Sequence, residues 1–271
     1  MTAAGEGRRL DGLALERLVD IMARLRSPGG CPWDLEQTLE SIRPYLIEEA
    51  FEVLEAIDDN DVREHRKELG DLLLQIVFQA RLREENGEFA FADVANAISD
   101  KLVSRHPHVF GDVKVTGAEE VLDNWAKLKE QERRDAGQEN PSALDGVPRA
   151  LPALVRGERL GEKASRVGFD WPNLAQVRQK VDEELRELDE AIAGQNQKEI
   201  EDELGDVLFA MSQLARFAGV HPEDALRGSA NKFEKRFRWI EQTARTRGTE
   251  LRALDAAALD ALWNEAKRAL S

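Results

Sequence analysis

Apolar residues recur along most of the chain at spacings of three and four, in long stretches free of Gly and Pro, which is the period of amphipathic helices. Alternating β-branched runs are nearly absent, and Val113–Gly117 (VKVTG) is the best strand-like fragment. The pattern predicts an all-α fold. From Leu46 to Ile57, the residues Leu46, Ile47, Ala50, Phe51, Val53, Leu54 and Ile57 fill one side of a helix, and Glu48, Glu49, Glu52 and Glu55 fill the other. The next helix differs. Leu69, Leu73, Leu74, Ile76, Val77, Phe78 and Ala80 cover nearly its whole circumference, leaving a stripe of Glu68, Asp71, Gln75 and Gln79. A helix apolar all round is expected to be buried, so Glu68 and Asp71 should stand at the edge of a core.

The pattern then repeats. Glu48-Glu49-Ala50-Phe51-Glu52 followed by Glu68-Leu69-Gly70-Asp71 reappears as Glu183-Glu184-Leu185-Arg186-Glu187 followed by Glu203-Leu204-Gly205-Asp206. Both pairs stand 135 positions apart (48 to 183, 68 to 203). Asp100-Lys101 with Arg105 is echoed by Asn231-Lys232 with Arg236 at a separation of 131. This is an internal duplication of a helical unit. The Pro- and Gly-rich segment 135–157 reads as a linker between a first domain, 1–134, and a second, 158–271.

Within each half the i,i+3 spacings put carboxylates on one helix face. If the paired helices pack antiparallel, two quartets converge: Glu49, Glu52, Glu68 and Asp71, then Glu184, Glu187, Glu203 and Asp206. Inward carboxylates on paired helices are one way to build a metal site in a bundle. All-oxygen ligation without His favours Mg²⁺ or Mn²⁺ over zinc or iron, and Mg²⁺ is commonly completed by substrate phosphates. The residues thus point to a phosphorylated molecule taken up with a metal. The alternatives are a solvated acidic face, or carboxylates paired with Lys or Arg.

Charge narrows the partners. A formal net charge of −15 repels a nucleic-acid backbone, so no nucleic-acid partner is expected. No apolar run approaches a membrane span and the N-terminus shows no signal-peptide core, so no membrane partner is expected. The single cysteine, Cys31, fits a reducing cytoplasm.

At the acidic motifs the sequence resembles the MazG family of nucleoside triphosphate pyrophosphohydrolases. Cys31–Asp34 (CPWD), His106–Val113 (HPHVFGDV), Val167–Trp171 (VGFDW) and Asn231–Phe237 (NKFEKRF) extend the likeness over nearly the whole chain in its two-domain form. The resemblance implies two tandem helical domains, Mg²⁺ dependence, and hydrolysis of NTPs and dNTPs to the monophosphate and pyrophosphate. It further implies a homodimer, a nucleotide-pool house-cleaning role, and a C-terminal half that is the main catalyst. It carries the quartets over as metal ligands, Lys232 and Arg236 as phosphate contacts, and Trp263 as a residue that stacks on the base. Glu183 or a member of the quartet, such as Glu184, is the candidate general base. Lys180, one turn before Glu183 and Glu184, either reaches phosphate or pairs with Glu184 on the surface. Rival readings are a narrower dUTP or phosphoribosyl-ATP pyrophosphohydrolase, and a non-catalytic helical dimer that binds Mg²⁺-nucleotide. Pro107 and Gly111 should shorten the helix carrying Lys101 and Arg105, weakening the first half.

Overall fold

The computed structural model describes residues 3–117, 120, 121, 124, 125, 128 and 142–270. Among these there is no strand; Val113–Gly117 is irregular, and the all-α expectation holds. The chain divides into two compact units, Met1–Glu132 and Arg133–Ser271.

The first unit contains α1 (Ala3–Leu25), α2 (Pro32–Glu36), α3 (Leu39–Asp58), α4 (Val62–Glu85), α5 (Phe91–Arg105) and α6 (Pro107–Phe110). Met22, Ile42, Val77, Phe78 and Leu82 form its core, so α1 and α3 bury one face each against α4. Arg26 fixes the loop before α3. Its Nη2 is 2.7 Å from Glu85 Oε2, and Nη1 donates to the Asp34 and Gln37 carbonyls.

The second unit contains α7 (Ala153–Ser165), α8 (Leu174–Gly194), α9 (Gln197–Phe217), α10 (Pro222–Thr246), a 3₁₀ turn (Leu251–Ala253) and α11 (Ala256–Ala269). Helix α7 starts inside the span read as linker, of which 135–141 lies outside the described residues. Its glycines are packing glycines. A Cβ on Gly157 would sit 2.6 Å from Ser212 Oγ, and one on Gly161 would sit 1.8 Å from Gln213 Oε1. The bare backbone lets α7 approach α9, and Gln213 Nε2 donates to the Gly157 carbonyl at 2.7 Å. Arg216 then ties α9 to the loop before α8, with Asp170 Oδ1 and Oδ2 at 2.6 and 3.0 Å. Ile240, Leu262 and Ala266 form a separate small core between α10 and α11.

Each unit is organised by a helical hairpin with the same turn. In α3–α4, Asn60 takes a positive φ of 53° and Asp61 caps the next helix through the Arg63 and Glu64 amides. In α8–α9, Gln195 has φ 55° and the Asn196 side chain accepts from the Lys198 amide. A left-handed residue followed by a side-chain cap reverses the chain at once and ends one helix as it starts the next.

One expectation fails. The acidic helices are not buried all round: Leu69 on α4 is 47 % exposed and Leu208 on α9 is 49 % exposed. Ile76 on α4 and Leu204 and Met211 on α9 are exposed too. Periodicity shows that a face is apolar, not which neighbour covers it. Among the described residues no helix is long and apolar enough to cross a membrane.

Candidate metal and nucleotide site

Hairpin symmetry sets the site. Glu52 stands six residues before the end of α3, and Glu68 six after the start of α4. Glu49 and Asp71 stand nine before and nine after. Glu187 and Glu203 stand seven before the end of α8 and six after the start of α9, and Glu184 and Asp206 ten and nine. With equal rise per residue, each pair lies at the same depth across the hairpin.

Electrostatics follow that register. Desolvation, then the charges of Asp71 and Glu52, push Glu49 above the usual carboxylate range. Glu52 is raised by desolvation and by Glu68. Glu203 is raised by desolvation, then by Glu187, Asp206 and Glu184. Like charges held together favour the neutral acid, and a cation between them removes that cost.

In the second unit, oxygens of Glu184, Glu203 and Asp206 lie within 4.8 Å of one another, as do those of Glu183, Glu184 and Glu187. Glu184 is the shared member and is buried. In the first unit the triad is Glu49, Glu52 and Glu68, whose counterparts at the 135-residue offset, Glu184, Glu187 and Glu203, are divided between the two triads of the second unit. Asp71 stands outside that triad but its charge acts on Glu49. Glu68 Oε2 is buried with no hydrogen-bond partner among the described residues. A desolvated carboxylate oxygen without a donor suits a cation, so both clusters fit a hard divalent ion by donor type.

Two lysines enter these clusters. Lys180 Nζ is 2.6 Å from Glu183 Oε1 and 2.6 Å from Glu184 Oε1. Lys180 thus makes the pair with Glu184 that the i,i+4 spacing offered. The bond from Lys180 also holds Glu183 below the usual carboxylate range. In the first unit Lys67 Nζ is 2.7 Å from Glu68 Oε1 and lowers its pKa. Lys67 escaped the sequence reading because adjacent helix positions do not normally face each other.

Lys232 is exposed and Arg236 half-buried on α10. The Arg236 guanidinium carbon lies 5.7 Å from the centroid of Trp263, and Lys267 Nζ lies 5.9 Å from it. Phe233 contacts Trp263 at 5.4 Å between centroids and stacks on Phe237 at 6.0 Å. Phe233 and Lys267 were missed, although the i,i+3 and i,i+4 spacings from Arg236 and Trp263 put them on the same faces.

Residues 37–110 and 173–240 both match the model of the MazG nucleotide pyrophosphohydrolase domain. The chain belongs to the MazG family. The matched segments span both acidic hairpins and end in α6 and α10. The chain is 46 % identical over 257 residues to the nucleoside triphosphate pyrophosphohydrolase of Escherichia coli (strain K12), covering 94 % of this chain and 97 % of that protein. It is 43 % identical over 256 residues to the nucleoside triphosphate pyrophosphohydrolase/pyrophosphatase MazG of Thermotoga maritima, covering 94 % and 96 %. The uncharacterized protein YabN of Bacillus subtilis is 44 % identical over 248 residues, which is 91 % of this chain and 50 % of that protein.

Proposed function

We infer that this chain is a nucleoside triphosphate pyrophosphohydrolase, releasing the monophosphate and pyrophosphate, with its main catalytic site on α8 and α9. The observation that carries the reading is the meeting of Glu184, Glu203 and Asp206 oxygens within 4.8 Å on a MazG-family hairpin. Glu184, Glu187, Glu203 and Asp206 would hold Mg²⁺, or Mn²⁺, and Glu49, Glu52, Glu68 and Asp71 would hold an ion in the first unit. When bound, the ion neutralises the triphosphate and makes the phosphorus a better electrophile.

The chain's own residues supply the rest. A water oxygen attacks the α-phosphorus, the bond to the bridging oxygen breaks, and pyrophosphate leaves. Glu183, beside the cluster and outside the ion-holding quartet, or Glu184 would accept the proton that this water loses. Lys232 and Arg236 lie four residues apart on α10, and each offers charge-assisted hydrogen bonds to phosphate oxygens. Trp263, already flanked by two cations and Phe233, offers a ring face to the base.

A homodimer is supported by the apolar faces left open on the acidic hairpins, including Leu69, Ile76, Leu204 and Leu208. Single exposed apolar residues are ordinary, but several on one hairpin mark an interaction face. Sedimentation of the wild type and of Leu208→Arg tests this, with a dimer expected to become a monomer; a monomeric wild type would end the proposal. The function itself is tested by pyrophosphate release from a panel of NTPs, dNTPs, dUTP and phosphoribosyl-ATP, with and without Mg²⁺. Turnover of several NTPs only with Mg²⁺ is expected. Turnover of dUTP or phosphoribosyl-ATP alone would replace the reading with a narrower enzyme, and release from none would leave a nucleotide-binding protein.

A further inference from the structure

In each unit one ammonium group sits on the most buried carboxylate of the acidic cluster. In the second unit Lys180 reaches Glu184, which is 5 % exposed. In the first, Lys67 reaches Glu68, which is 6 % exposed. The two lysines are not counterparts in the duplication. Lys180 lies on the first helix of its hairpin, and the matching position in the first half is Tyr45. Lys67 lies on the second helix of its hairpin, and the matching position is Asp202. Different residues on different helices meet the same need. A desolvated carboxylate beside other carboxylates requires a positive charge next to it.

Glu184 belongs to both carboxylate triads of its unit, so an ion lying between them must use it. Its burial on a packed helix face leaves it little freedom to turn away. The Lys180 side chain is 35 % exposed and has a long flexible stem, so it can leave towards solvent. An ammonium and a dication on one carboxylate oxygen repel each other strongly at such separations.

We propose that Lys180 is the resident counter-cation of the second unit's acidic cluster, and that a divalent ion binds by displacing it from Glu184. Lys67 does the same for Glu68 in the first unit. The lysines keep the clusters folded without metal and set how tightly metal is held, in contrast to surface pairs that leave ion affinity unchanged. This rests on the reading of the clusters as divalent-cation sites.

The test is Mn²⁺ binding without nucleotide, by titration calorimetry on the full chain. A parent carrying Glu68→Ala and Asp71→Ala confines binding to the second unit. Adding Lys180→Met should tighten Mn²⁺ about tenfold or more, the worth of one charge-assisted hydrogen bond that no longer competes. Lys180→Arg, which keeps the charge, should stay near the parent. Lys180→Met should also lower the melting temperature without metal and gain more than the parent when Mn²⁺ is added. The mirror pair is Lys67→Met in a Glu203→Ala and Asp206→Ala parent, which repeats the measurement in an independent site. Unchanged or weaker Mn²⁺ binding in cooperatively folded Lys→Met chains would overturn the displacement role. Failure of both parents to bind Mn²⁺ would overturn the metal reading and this proposal with it.

Discussion

The two units carry the same acidic hairpin but finish it differently. In the second, α10 runs unbroken for 25 residues and carries Lys232 and Arg236, with Arg236 beside Trp263. In the first, α5 stops at Arg105 after 15 residues, and Pro107 starts a separate four-residue helix. Trp125 is used there to close the helix end: its indole N–H donates to the Arg105 carbonyl at 2.8 Å, and its ring meets His106 edge-on at 5.0 Å. A tryptophan that contacts cations in one unit serves as a cap in the other. On the proposed reading, holding a cation and gripping a nucleotide are separable tasks: an acidic cluster stands in both units, while the helix that follows it differs.

The largest effect expected to test this comparison is on turnover. Glu203→Ala with Asp206→Ala should cut pyrophosphate release by well over ~10²-fold, since even groups that only orient metal ligands are worth roughly 10 to 100-fold. Glu68→Ala with Asp71→Ala should leave most of the activity. The reverse pattern would move catalysis to the first unit.

Next comes the basic pair. Arg236→Ala should raise KM for NTP by about 10 to 100-fold through loss of a charge-assisted phosphate contact. Arg105→Ala should change steady-state kinetics little. Equal effects would show that the shortened α5 still serves phosphate.

Much of this was legible in the sequence because helix period and a repeated spacing are geometric constraints. The equal-depth pairing of Glu52 with Glu68, and of Glu187 with Glu203, follows from where two helices meet at a tight turn. Other features were hidden for physical reasons. Gly157 reads as the last residue of the linker, yet it and Gly161, one turn further on, are where α7 touches α9; a glycine that relieves crowding looks like one that bends a chain. The apolar stripes on α4 and α9 suggested complete burial, although part of each faces outward. Lys67 was invisible because its contact with Glu68 depends on side-chain conformation rather than spacing.

A smaller effect concerns the clamps that hold each hairpin's entry loop. Arg216 holds Asp170 below the usual carboxylate range, chiefly by hydrogen bonding, and Arg26 does the same for Glu85. Both carboxylates therefore contribute stability that is fully present above their unfolded pKa, about 4, and is lost as pH falls through the lowered folded value. Asp170→Asn should cost about 1–3 kcal/mol at neutral pH by denaturant unfolding, with the difference from wild type shrinking below pH 4. A pH-independent difference would assign the effect to packing.

The smallest effect has the opposite sign. Glu49, Glu52 and Glu203 are raised, so their contribution is fully present below the ordinary glutamate value of 4.5 and is lost as pH rises through the raised values. Their share of metal-free stability should fall as pH rises above 4.5, and Mg²⁺ should cancel that fall. Thermal melts of wild type and Glu203→Gln, with and without Mg²⁺, measure it. An identical pH response of the two metal-free proteins would contradict it.

The most direct test is a crystal of the full chain grown with Mn²⁺ and a non-hydrolysable α,β-bridged NTP analogue, with anomalous scattering recorded at the manganese edge. The account predicts manganese among Glu184, Glu187, Glu203 and Asp206, with the triphosphate reaching Lys232 and Arg236. A bound nucleotide with no manganese in that cluster, and Lys180 still seated on Glu184, would contradict it.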